Sequence, residues 1–136
     1  MINQDNQSLK HVPPGFEHEL KNIAIDFDGV IHEFLGWGDG TCYGQPLEGS
    51  IEAIKQLSKN WNIIIFTAKA RPDRPLVNGK TGTELVYEWL EKYDLTKHID
   101  YVTHEKPRAE IYVDDKGLRF HNWKECLEQL KTLNIT

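Results

Sequence analysis

Ile23-Ala24-Ile25-Asp26-Phe27-Asp28-Gly29-Val30 is the stretch whose reading decides the fold of this chain. An apolar run of this kind reads as a strand buried on both faces, as in a parallel sheet. It ends on two carboxylates one residue apart, followed at once by a glycine. The carboxyl ends of parallel strands open onto the ligand crevice of an α/β sheet. Two acids about 4 Å apart there repel by roughly 4 kcal/mol at an effective dielectric near 20, so a cation or a shared proton must offset them. Magnesium is the simplest such cation. The plainer alternative is that Asp26 and Asp28 cap a helix or shape an Asp-Gly turn.

Downstream of this first strand, placed at about 22–27, His32 to Gly49 carries Gly36, Gly38, Gly40, Gly44 and Gly49 among Phe34, Trp37 and Tyr43. That composition suits an ordered loop or hairpin, and residues 31–49 are expected to form a flap. Ser50 is the expected N-cap of a helix with Ile51, Ile54 and Leu57 at helical spacing, ending near Asn60. Asn62-Ile63-Ile64-Ile65-Phe66-Thr67 is a second strand. Thr81 or Thr83 then caps a helix with Leu85, Val86, Trp89 and Leu90 on one face and Glu84, Glu88 and Lys92 on the other. Ile99 to Thr103 gives a third strand, Ala109 to Asp115 a fourth, and Asn122 to Leu133 a last helix carrying Trp123, Cys126, Leu127 and Leu130. Upstream, residues 1–20 are polar and broken by Pro13-Pro14-Gly15, and read as a loose leader. Strands alternating with helices imply right-handed crossovers in a parallel sheet. The expectation is one α/β domain over 21–136: a Rossmann-like three-layer sandwich, mostly parallel, with helices on both faces and no cap domain.

Size and charge bound the function. In 136 residues there is room for one core, and 39% hydrophobic with 27% charged residues is ordinary for a globular domain. A net charge of −5 argues against a general affinity for nucleic acid backbone. Cys42 and Cys126 are far apart and lack metal-ligand spacing, so both read as reduced thiols of a cytoplasmic protein. No stretch approaches the length of a membrane span.

Polar residues terminate three of the strands: Asp26 and Asp28, Thr67, and Asp114 with Asp115, while Lys106 precedes the fourth. A parallel sheet gathers such ends on one edge. Together they supply a nucleophile, an acid/base, phosphate ligands and a metal anchor, a full set for phosphoryl transfer. In this order, Asp26-Phe27-Asp28-Gly29-Val30, Thr67, Lys106-Pro107 and Asp114-Asp115, the chain resembles the haloacid dehalogenase-like superfamily over about residues 22–120, in its small capless phosphatase form. The resemblance implies that Asp26 attacks phosphorus and becomes an aspartyl phosphate, and that Asp28 protonates the leaving oxygen and then activates water. It further implies that Thr67 and Lys106 hold phosphoryl oxygens. Magnesium would lie between Asp26, the Asp28 backbone carbonyl and an acid of the fourth strand. Because successive side chains on a strand alternate, Asp115 is favoured as the direct ligand, with Asp114 orienting a water or Lys106.

An open crevice suits a bulky phosphorylated substrate, whether a nucleotide, a sugar phosphate, a nucleic acid end or a phosphoprotein; alternatively a second subunit of a homo-oligomer supplies a lid. Gly29, His32, Ala68, Lys69 and Arg71 are the candidate substrate contacts. His32, Trp37 and Tyr43 are expected to stack or hydrogen-bond from the flap, or else to pack on the core. Lys69, Arg71, Arg74 and Lys80 form a basic group in an acidic chain, suited to a second phosphate or a carboxylate, or else simply solvated. Two readings without turnover also follow from the same residues: a module that recognises a phosphorylated partner, and a signalling domain phosphorylated on aspartate.

Overall fold

A computed structural model describes residues 21–36, 44–114, 118–119 and 122–132. The deciding stretch forms β1 (Asn22–Asp26), followed by α1 (Ser50–Leu57), β2 (Asn62–Phe66) and α2 (Gly82–Lys92). Then come β3 (Tyr101–Thr103), β4 (Ile111–Asp114), the two-residue β5 (Leu118–Arg119) and α3 (Trp123–Thr132). The strands form one sheet in the order β3-β2-β1-β4-β5, with every pairing parallel. The chain is therefore an α/β fold on a parallel sheet, with β1 at its centre. Central position explains why β1 is buried along its length, with Ile23, Ala24 and Ile25 wholly inaccessible.

One face of the sheet carries the main core. Ile23 and Ile25 of β1, Ile63 and Ile65 of β2 and Val113 of β4 stand in register and pack with residues of all three helices. These include Ala53, Ile54 and Leu57 of α1, Val86, Trp89 and Leu90 of α2, and Trp123, Cys126 and Leu130 of α3. Each fully buried aliphatic side chain here contributes about 1.5–3 kcal/mol relative to exposure. Because β1 to β2 and β2 to β3 step in the same direction across the sheet, right-handed crossovers bring α1 and α2 to the same face. Helices were expected on both faces; among the described residues all three contribute to this one.

Several boundaries differ from expectation. α1 is capped by Gly49 (φ 82°), so Ser50 is already helical, and the helix closes at Leu57 rather than near Asn60. β3 begins at Tyr101 because Leu95, His98 and Ile99 are used in a short 3₁₀ turn and its exit. β4 begins at Ile111, and β5 was not foreseen, since two residues carry no periodic signal. At α2 the choice between threonines falls on Thr81, whose hydroxyl accepts the Glu84 amide at 3.1 Å while Glu84 returns to the Thr81 amide. No helix among the described residues is long and apolar enough to cross a membrane. The leader at 1–20, together with Trp37, Cys42, Tyr43 and Asp115, lies outside the described residues.

Candidate active site

Three neighbouring strands deliver the site. β1 ends on Asp26, β4 on Asp114, and Thr67 follows β2 directly. Ile25 pairs with Val113, so Asp26 and Asp114 occupy adjacent positions one residue beyond, on the same side of the sheet and about one strand spacing, roughly 4.8 Å, apart. The two acids thus close neighbouring strands at the same end of the sheet.

Asp28 is the hub of a second group. After β1 the chain turns tightly: the Phe27 carbonyl accepts from the Ile31 amide at 3.0 Å and Gly29 N–H donates to the His32 carbonyl at 2.9 Å. This brings His32 beside Asp28, with Nε2 at 2.8 Å from Oδ1. The Thr67 hydroxyl donates to Asp28 Oδ2 at 2.8 Å, and the Lys69 ammonium lies 3.6 Å from Oδ1. Burial acts to raise the pKa of Asp28, but the His32 hydrogen bond, the Lys69 charge and the Thr67 hydroxyl outweigh it, and the carboxyl ends below its ordinary value.

Each partner of Asp28 is held by packing. His32 is 2% exposed, its ring 4.2 Å from that of Phe27 and 5.6 Å from that of Trp89. Among the described residues its Nδ1 has no hydrogen-bond partner, and the tautomer with the proton on Nε2 donates to Asp28. Two helix tryptophans tie down the loop around it: Trp89 Nε1 donates to the Gly44 carbonyl and Trp123 Nε1 to the Val30 carbonyl, each at 2.9 Å. Lys69 is 1% exposed, in a 3₁₀ turn (Ala68–Ala70) whose first amides are served by Thr67: the Lys69 N–H donates to Thr67 Oγ1 at 3.2 Å. Gly82 at the start of α2 admits the Lys69 carbonyl; a Cβ there would stand 1.6 Å from that oxygen.

Lys106 belongs to a third group, with Nζ 3.5 Å from Asp114 Oδ2; the lysine is half exposed and the aspartate buried. Tyr112 lies beneath it, its ring centroid 4.6 Å from Nζ.

The expectations for substrate contact need correction. His32 faces Asp28 from within the core rather than reaching outward from a flap. The basic group after Thr67 is dispersed: Lys69 is buried on Asp28, Arg71 is paired with Asp73 at 3.0 Å, and Lys80 is paired with Glu88. Hydrophobic burial and local acids, neither visible as a motif, separate these cations. Gly29 and Ala68 lie in the two turns that frame Asp28. The carboxylate oxygens of Asp28 are engaged by His32, Thr67 and Lys69, which leaves its backbone carbonyl as the group that would meet a metal. The one contact residue that sequence reading missed is Tyr112, whose aromatic type signalled only strand propensity.

Two other features lie apart from this chemistry. The Cys126 thiol is pushed up to about 11 by burial and by Glu125, which leaves it unreactive. A groove of about 720 Å³ between α1 and α3 is lined by Glu52, Gln56, Trp123 and Lys124, and by none of the site residues.

Among the described residues no group of three or more His, Cys, Asp or Glu side chains is arranged to hold a metal ion. Asp26 and Asp114, at the ends of neighbouring strands, would suit magnesium nonetheless, because that ion takes one or two carboxylates, keeps several waters and completes its shell with substrate phosphate. No family model matches the chain, and neither do the curated proteins or the solved structures compared with it.

Proposed function

We propose that the chain is a magnesium-dependent phosphomonoester hydrolase of the haloacid dehalogenase-like type, acting through an aspartyl phosphate. The observation that carries this reading is the convergence at one sheet edge of Asp26, the Asp28–His32–Thr67–Lys69 group and the Lys106–Asp114 pair. Asp26 attacks phosphorus, and the bond to the leaving oxygen breaks as that oxygen takes a proton from Asp28. Water then attacks phosphorus, Asp28 takes its proton, the bond to Asp26 breaks and inorganic phosphate leaves.

The ionised form of Asp28, favoured by its two hydrogen-bond donors and the Lys69 charge, is the form that activates water. An arriving phosphoryl dianion disfavours that charge, which is the route to the protonated form the leaving oxygen requires. Lys106 holds a phosphoryl oxygen and offsets developing negative charge, and Thr67 holds a second once its single O–H turns from Asp28 to the phosphoryl group. Magnesium, held by Asp26, Asp114 or Asp115 and the Asp28 carbonyl, would neutralise the phosphoryl oxygens as charge shifts toward the leaving group. The reading carries with it a cytoplasmic setting and a phosphorylated small molecule or macromolecule as substrate.

The test is phosphate release from p-nitrophenyl phosphate and from a panel of nucleotide and sugar phosphates, in magnesium or in EDTA. Release that requires magnesium and disappears in Asp26→Asn is expected. Turnover unchanged in that variant overturns the mechanism. Ligand-induced stabilisation without release from any substrate would instead favour a phosphate-recognising module.

A further inference from the structure

Lys106 is a half-exposed lysine on the loop between β3 and β4, and such a side chain explores many rotamers unless something holds it. Tyr112 is placed to do so at three points. Its hydroxyl donates to the Pro107 carbonyl at 2.6 Å and accepts from the Ala109 amide at 3.0 Å, so it closes the loop immediately after Lys106. Its ring lies under the ammonium, 4.6 Å from centroid to Nζ. The strand register sets Tyr112 beside Ala24 of β1, a neighbour small enough to leave the ring room. Asn22 adds a bond from its side-chain amide to the Arg108 carbonyl at 3.3 Å, and the Glu110 amide donates to the Asn22 carbonyl at 2.9 Å. The loop is thus pinned to β1 and β4 on both sides of its turn, and the lysine is seated between an aromatic face and the Asp114 carboxylate.

We propose that Tyr112 is a positioning residue that holds Lys106 in the geometry for binding a phosphoryl group, and so sets the affinity of the site for phosphate. The assignment of the lysine's ligand rests on the hydrolase reading. Tyr112 itself touches no reacting atom. Its two contributions are separable: Tyr112→Phe keeps the ring under the ammonium and removes the hydroxyl clamp, and Tyr112→Leu removes both.

The experiment compares wild type, Tyr112→Phe, Tyr112→Leu, Lys106→Met and the Tyr112→Leu/Lys106→Met double variant, reading the inhibition constant for inorganic phosphate beside kcat. Tyr112→Leu and Lys106→Met should each raise the constant by about five- to tenfold, with Tyr112→Phe between them and wild type. The double variant should bind phosphate no worse than Lys106→Met, because the tyrosine acts through the lysine. Additive losses, or an unchanged constant in Tyr112→Leu, overturn the proposal.

Should Tyr112→Leu fail to fold, Tyr112→Phe decides: a constant equal to that of wild type counts against the clamp. Should the wild type neither turn over nor bind phosphate, the hydrolase reading falls by itself. The seat is then judged by the Lys106 ε-methylene resonance in NMR. An upfield ring-current shift kept in Tyr112→Phe and lost in Tyr112→Leu upholds it, and no such shift in wild type refutes it.

Discussion

Asp28 accepts from His32 and Thr67 and is ion-paired with Lys69 at once, which makes it the residue most sensitive to its surroundings. Replacing His32 by Phe keeps an aromatic ring between Phe27 and Trp89 but withdraws one donor from a largely buried carboxylate, at a cost of roughly 1–3 kcal/mol. Urea unfolding at neutral pH should report that loss, and an unchanged midpoint would show that the hydrogen bond contributes nothing net. The pH dependence has a definite sign. The native carboxyl lies below its ordinary value of 3.8, so on acidification the unfolded chain takes up this proton first. The stabilisation is therefore complete above that ordinary value and disappears as pH falls through the native one. In His32→Phe this acid limb should be shallower, as a melting series from pH 6 downward would show.

Two contacts set the start of α2, and one of them reaches the site. The Thr81–Glu84 capping box satisfies donors at the helix start, and Thr81→Ala should cost about 1 kcal/mol with phosphate release per folded molecule unaltered. Gly82 is a different matter, because its missing side chain is what lets the helix start meet the Lys69 carbonyl. Gly82→Ala forces backbone atoms apart, costing about 1–3 kcal/mol, and shifts the turn that holds Lys69 against Asp28. Turnover should fall along with stability. A Gly82→Ala protein as stable and active as wild type would mean that this contact is looser than its geometry implies.

For the whole molecule, the neighbouring ends of β1 and β4 predict linkage between metal and folding. Asp26 and Asp114 each stand one residue beyond the Ile25–Val113 pair, and an ion shared between them would stabilise only the folded chain. Magnesium at ten times its dissociation constant should add about 1.4 kcal/mol, visible as a rise in melting temperature. Asp114→Asn should reduce that rise, whereas Arg71→Gln, remote in its own pair with Asp73, should leave it intact. A melting temperature unmoved by millimolar magnesium would count against a shared site.

Much of this was legible in the chain itself. The apolar run into Asp26, the matching run into Thr67 and the alternation with amphipathic helices dictate a parallel sheet, because only burial on both faces rewards such uninterrupted strands. The polar strand ends likewise marked the edge at which the candidate site gathers. What only the tertiary structure decided is which side chains meet there. Lys69 and His32 read as outward-facing contacts, yet both are buried on Asp28, since a turn after β1 and a 3₁₀ turn after β2 redirect them by backbone geometry that leaves no periodic trace. The approach of Asp26 to Asp114 depends on register, and the seat of Lys106 on a tyrosine six positions further along the chain, a contact that no sequence pattern announces. Local periodicity determines faces and elements; contacts between residues distant in the chain are settled only when the sheet and its helices pack.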